Sequence, residues 1–342
     1  MELQIGIIAC GKVTEIVHLP AYKEIKGLRV AAVCDVDLAR ARWIADKFDI
    51  PRVYASHTEM FAHEQMDAVS VNSPHRFHAR HTIDAAKAGC HVLVEKPMAL
   101  SAKDIAAMIA ACKRAGKILM VEQALRFTPH AYKAHQIITS GQLGKVYTIR
   151  GHFGHSGPEN WSPEGKWFLE KKEAQGGSML DLGVHQIDLI RYISGKEVSE
   201  VCAFLGTLQK PIDVEDNGVA LIRFDDGTIG MFDASWTNDP LVCHAEFYCE
   251  KGHLFLDATS KDRLVIRRPK REPKPVKIPA RHPDGNAMAY FVKCIREGLV
   301  PHCDGLTAGK STEVVLAAAI SAQKGRPVKL PLATQKGRAA GL

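Results

Sequence analysis

The chain has 342 residues, 46% of them hydrophobic and 24% charged, and a formal net charge of +7. That length corresponds to about two domains at roughly 100–200 residues each, and cores of such size need no disulfide or metal staple. The composition excludes collagen-like, low-complexity and short disulfide-scaffold classes, and the longest apolar runs, such as 314–320, fall far short of the roughly 20 residues of a membrane-spanning helix.

The first residues enter a β-like run with no basic leader region. Nine cysteines without a Cys-x-x-Cys pair fit neither a zinc ribbon nor a disulfide framework, so a cytoplasmic protein is expected. From there to about 124, apolar strands at 3–9, 28–34, 68–71, 91–94 and 118–121 alternate with helices near 15–26, 37–48, 76–89 and 101–115. Such alternation predicts a doubly wound parallel sheet with ligands at the carboxyl ends of its strands.

Beyond Phe127-Thr-Pro129 the pattern predicts a helix over 130–140, a strand over 146–154, and an irregular stretch holding Trp161 and Trp167. A helix then runs from Gly177-Ser178 to Ser194-Gly195, and Asp225-Asp226-Gly227 predicts a hairpin between 219–224 and 228–233. Helices near 286–297 and 307–323 close the chain. The fold class is therefore α/β: a Rossmann-type dinucleotide-binding domain at 1–124 and, at 125–342, an α+β domain with a large, open, mainly antiparallel sheet for substrate and subunit contacts. Eight basic residues stand against Asp262 and Glu272 between 261 and 277, broken by Pro269, Pro273 and Pro275. They read as a solvated sheet edge, and no nucleic acid or membrane partner is expected.

Two features point to a nucleotide. The first strand runs into Gly6-Ile-Ile-Ala9-Cys10-Gly11-Lys12-Val13-Thr14, where backbone groups of Ala9, Gly11, Lys12 and Val13 can approach a pyrophosphate. Only Gly11 survives of the G-x-G-x-x-G pattern, so the turn alone also fits a ligand-free β-α connection. Asp35 lies 24 residues after Gly11 at the end of the second strand, placed either to hydrogen-bond a ribose diol or to cap the next helix. Its charge and the lack of an adjacent arginine favour NAD over NADP.

Three further segments carry chemistry: Asn72-Ser73-Pro74-His75-Arg76-Phe77-His78, Glu95-Lys96-Pro97, and Gly177-Ser-Met-Leu-Asp181-Leu-Gly-Val-His185-Gln-Ile-Asp188. Lys96 just past a buried strand is either a surface lysine or an ammonium poised at a substrate hydroxyl. Asp181 and His185, four apart on a helix, form either a solvent-facing ion pair or a carboxylate-oriented imidazole. His152 and His155 alternate across a strand with no evident Cys or carboxylate partner, so no metal is expected.

Together these segments resemble the glucose-fructose oxidoreductase, inositol dehydrogenase and rhizopine-catabolism (Gfo/Idh/MocA) family, over essentially the whole chain. The resemblance implies NAD-dependent hydride transfer from a hydroxyl-bearing carbon of a sugar, sugar derivative or cyclic polyol. It implies Lys96, Asp181 and His185 as the catalytic group: His185 as proton acceptor, Lys96 polarising the oxygen and Asp181 orienting the imidazole, with the first two roles exchangeable. It places Ser73, Pro74, His78 and Glu95 near the nicotinamide ribose, and Arg126 in a substrate-side motif whose usual Asn is replaced by Ala124. Trp161 and Trp167 either stack on a sugar or pack in a lid. Family precedent leaves an NAD-dependent glycosidase-like enzyme and a non-catalytic dinucleotide-sensing regulator as alternatives, and implies a homodimer or homotetramer through the C-terminal sheet.

Overall fold

The computed structural model describes residues 2–162, 165–260, 263–334 and 338–339. The chain divides into two compact units, Met1–Glu122 with Asn286–Gly309, and Gln123–Gly285 with Lys310–Gly341. Its helices in chain order are α1 (Leu19–Lys23), α2 (Leu38–Phe48), α3 (His57–His63), α4 (His78–Lys87), α5 (Ala102–Ala115), α6 (Pro129–Thr139), α7 (Lys171–Ala174), α8 (Val184–Ser194), α9 (Ala287–Glu297) and α10 (Gly305–Lys324).

In the first unit, β1 (Leu3–Ile8), β2 (Leu28–Cys34), β3 (Arg52–Tyr54), β4 (Ala68–Val71), β5 (His91–Val94) and β6 (Leu119–Val121) pair in parallel in the order β3-β2-β1-β4-β5-β6. β4 is buried throughout because helices cover both faces of such a sheet, which is why these strands read as unbroken apolar runs. Side-chain caps start the helices: Asp37 accepts from the backbone of Ala39 and Arg40, and Ser101 from that of Asp104. The sequence reading missed β3 and α3, since β3 is a three-residue edge strand opening on an exposed arginine. The first helical segment also begins early, at Lys12, and is π-helical over Thr14–His18. Asn286–Gly309 joins this unit by bonds from Val121 N to the Cys303 carbonyl (3.0 Å) and from Arg296 Nη2 to the Gly27 carbonyl (2.7 Å).

The second unit is built on β7 (Val146–Gly154), β8 (Val198–Gly206), β9 (Asn217–Phe224), β10 (Ile229–Ser235), β11 (Val242–Cys249), β12 (Gly252–Asp257), β13 (Leu264–Arg267), β14 (Lys274–Pro275) and β15 (Val328–Lys329). Their order is β14-β13-β12-β11-β7-β10-β9-β8-β15, antiparallel except where β7 and β10 run parallel. Gly227, at φ 85°, makes the predicted tight reversal between β9 and β10. One sheet face takes α8, so close at Gly151 that an added Cβ would lie 2.1 Å from Gln186 Nε2. The other face presents Phe204 (80% exposed), Val219, Leu221 and Ile229, with Val219 directly opposite Phe204. The basic segment forms β13 and the exposed edge strand β14, as its Lys and Pro content predicts. Lys261 and Asp262 lie outside the described residues.

Candidate active site

The strand order reverses between β1 and β4, and the turns leaving these two strands flank the crevice where doubly wound sheets bind ligands. After β1, Ala9 holds φ 75°, the left-handed conformation that glycine adopts in related turns. Three bonds sustain it. The N–H of Cys10 donates to Asp35 Oδ2 (2.7 Å), the Thr14 hydroxyl donates to the Ala9 carbonyl (2.7 Å), and Asn72 Nδ2 donates to the Thr14 oxygen (2.9 Å).

At Gly11 an added Cβ would meet nothing within 4 Å, so the backbone faces open space of the kind a pyrophosphate requires. Asp35 stands half-buried at the end of β2 and does not cap α2; Asp37 does, while Asp35 Oδ1 accepts from the Asp37 N–H (2.9 Å). Each Asp35 oxygen has a further lone pair, enough for a ribose diol. Lys12 bonds Glu15 (3.3 Å), and Val13 immediately precedes the π-helical turn. These features fit a dinucleotide.

On the other side of the crevice, buried Ser73 bonds His81 Nδ1 through its hydroxyl (2.9 Å), with Pro74 next to it leading into a short 3-10 turn. His78 is fully buried between the carbonyls of Ser73 (2.7 Å) and Pro97 (2.9 Å). It lies between this turn and the segment after β5, and burial pushes its imidazole below the ordinary value.

β5 delivers Glu95 and Lys96. Glu95 Oε1 faces His18 Nε2 (2.8 Å), Oε2 accepts from the Lys96 N–H (3.1 Å), and the chain of bonds continues from His18 Nδ1 to Ser70 (3.3 Å) and from Ser70 to Tyr22 (2.6 Å). A consistent proton order runs from the Tyr22 hydroxyl through Ser70 and His18 to the Glu95 carboxylate. Lys96 itself is half-buried at the strand's carboxyl end.

In the second unit, Met179–Gly183 is a π-helical turn that flows into α8. Gly177 lets its start approach the chain closely, since a Cβ there would lie 1.9 Å from the Glu215 carbonyl oxygen. Asp181 is 2% exposed, which excludes a solvent-facing ion pair, and its Oδ2 accepts from Trp236 Nε1 (3.1 Å). The half-buried His185 lies with its ring 5.9 Å from that of Phe153.

The sequence reading missed Trp236, which follows β10 directly and lines a cavity of about 530 Å³ with Leu169, Gln209, Lys210, Ile212 and Thr237. Arg126 commits its guanidinium fork to Asp188 (2.6 and 2.7 Å) and is 2% exposed, so it supports α8. Trp161 and Trp167 both pack on the buried Phe168, at ring distances of 5.6 and 3.8 Å. His152 does have a carboxylate partner: Asp233, placed opposite it by the parallel β7–β10 register. Among the described residues no group of three or more His, Cys, Asp or Glu could hold a metal ion, and no helix is long and apolar enough to cross a membrane.

Residues 3–123 match the family described as an oxidoreductase family with an NAD-binding Rossmann fold, and residues 132–255 match the GFO/IDH/MocA C-terminal domain. The chain is 30% identical to myo-inositol 2-dehydrogenase of Thermotoga maritima over 77% of its own length and 78% of that protein. To D-apiose dehydrogenase of Paraburkholderia graminis it is 29% identical, over 95% of its own length and 89% of that protein. Among solved structures, GenD2 from gentamicin A biosynthesis, in complex with NAD, has a TM-score of 0.85 at 25% identity, with 97% of each chain covered.

Proposed function

Because the chain belongs to the GFO/IDH/MocA family of oxidoreductases, with its NAD-binding Rossmann fold, we propose that it is an NAD-dependent dehydrogenase. Its substrate in this reading is a hydroxyl-bearing carbon of a sugar, a sugar derivative or a cyclic polyol, in keeping with relatives named for inositol and apiose. The observation that carries it is the arrangement at the crevice: the braced Ala9–Val13 turn on one side, the Ser73–His78 turn on the other, and Lys96 just past the end of the next strand.

Within 1–124, Ala9, Gly11, Lys12, Val13 and Asp35 would hold the adenosine and pyrophosphate, with Ser73, Pro74, His78 and Glu95 toward the nicotinamide. The bound nicotinamide supplies the hydride acceptor. Lys96 carries an ammonium that polarises the substrate oxygen, and His185 takes the hydroxyl proton. Asp181, itself held by the bond from Trp236 Nε1, would orient that imidazole. Within 125–342, the cavity beside Trp236 is of a size suited to a small ligand and offers an aromatic wall with Gln209, Lys210 and Thr237 as polar partners.

The test follows absorbance at 340 nm with NAD⁺ and a panel of sugars, sugar phosphates, nucleotide sugars and inositols. NADH formation with at least one member is the expected result; silence across the panel by protein that binds NAD⁺ refutes the dehydrogenase assignment. The apolar sheet face of Phe204, Val219, Leu221 and Ile229 supports pairing with a second copy of the chain. Light scattering at micromolar concentration is expected to give a mass of at least two chains, and a monomer would refute that pairing.

A further inference from the structure

Beside the first β-α turn lies a knot of charge to which, Lys12 apart, the dehydrogenase reading assigns no role. Glu15 receives three cations: Lys47 Nζ at Oε1 (2.7 Å), and Arg40 Nη2 (2.8 Å) and Lys12 Nζ (3.3 Å) at Oε2. Trp43 underlies two of them, its ring 4.5 Å from the Arg40 guanidinium and 4.6 Å from Lys47 Nζ. The knot is joined to the nucleotide turn through one residue. Arg40 Nε donates to the Cys10 carbonyl (2.9 Å), while the N–H of the same Cys10 donates to Asp35 (2.7 Å).

Lys12, Arg40 and Lys47 thus converge on Glu15, with Asp35 joined to them through Cys10 and Asp37 through the Arg40 backbone N–H. Its hydrogen bonds from Lys47, Arg40 and Lys12 hold the Glu15 carboxyl at about 2, so it is ionised at neutral pH. The side chains of Lys12 and Lys47 are 39% and 43% exposed, and ion pairs that accessible contribute little to stability. Their placement beside the ribose acid is the more consequential property.

We propose that Glu15 is a specificity-determining residue, which keeps Lys12, Arg40 and Lys47 from a 2′-phosphate and so favours an adenosine ribose with a free 2′-hydroxyl. The inference rests on the dinucleotide reading of the Ala9–Val13 turn. A 2′-phosphate brings about two negative charges and is held by arginine and lysine. Here those cations already have an intramolecular anion, so an incoming phosphate must displace Glu15 as well as approach Asp35. Glu15→Gln keeps the shape and leaves three cations against two carboxylates.

The experiment is calorimetry on the full chain with two probes that differ only in the 2′-phosphate, 5′-AMP and adenosine 2′,5′-bisphosphate, repeated with NAD⁺ and NADP⁺. Glu15→Gln is expected to raise the affinity ratio in favour of the 2′-phosphorylated partner about tenfold, as expected for one uncompensated charge nearby. Added salt should shrink that gain, and Arg40→Met in the Glu15→Gln background should cancel it. Lys47→Met in the otherwise unchanged protein should move the ratio the opposite way, which guards against misfolding of a single variant. Variants that bind NAD⁺ normally with an unchanged ratio overturn the proposal and leave the dehydrogenase reading intact. An unaltered chain that binds neither NAD⁺ nor NADP⁺ removes both.

Discussion

Lys96→Ala lowers kcat for NAD-linked oxidation by about 10²- to 10⁴-fold, the range for loss of a positioned acid-base or electrostatic group, while NAD⁺ affinity stays within a few-fold. The expectation follows from where the strand ends. β5 is buried from Val92 to Val94, and Glu95 is pinned between His18 and the Lys96 backbone, so the lysine leaves a rigid platform at the carboxyl edge of the sheet. Lys96→Arg should rescue little, because a planar guanidinium fork does not reproduce a compact ammonium. Stopped-flow absorbance at 340 nm, with calorimetry for the cofactor, separates the two effects. A kcat loss below about fivefold would remove Lys96 from the chemistry.

The second large effect concerns stability. Asp188, 1% exposed, accepts from Nε and Nη2 of Arg126 and from the hydroxyl of Ser311 (2.7 Å), which in turn accepts from Arg191 Nη1 (2.5 Å). Asp188→Ala leaves the Arg126 charge, itself 2% exposed, without this counter-ion. Removing one partner of such a pair costs about 3–5 kcal/mol, measurable by urea unfolding. Burial pushes the Asp188 carboxyl up, but Arg126, with Arg191 and Ser311, outweighs it and holds the pKa below its ordinary value.

The stabilisation is therefore present above the unfolded value of about 3.9 and is lost as pH falls through the lower folded one. The gap between Asp188→Ala and the unaltered protein should be full at neutral pH and close in acid below about pH 4. A gap under about 1 kcal/mol at pH 7 would show that the ion pair is not what holds α8. Arg126→Lys distinguishes support from substrate contact: it should lower the midpoint of unfolding, whereas a change in KM alone would return Arg126 to the sugar.

Several features were legible before any fold was seen because they depend on neighbours within a few residues. The alternation of apolar strands with helices and the turn at Asp225-Asp226-Gly227 are of this kind. So are Glu95-Lys96-Pro97 and the Asp181–His185 spacing, which local periodicity puts at a strand end and on a helix. Other assignments waited on contacts between distant segments. Arg126 and Asp188 are 62 positions apart, Asp181 and Trp236 are 55, and His152 and Asp233 are 81.

Each of those pairs exists because two strands or helices pack in one register, and no window of sequence encodes a register between remote elements. The same holds for the helix cap, where Asp35 and Asp37 are equivalent by composition until the Cys10 N–H claims the first. The N-terminal half could thus be read as a nucleotide fold from its own periodicity. The partner of each buried charge was decided by long-range packing, because satisfying such a charge depends on what folding brings beside it.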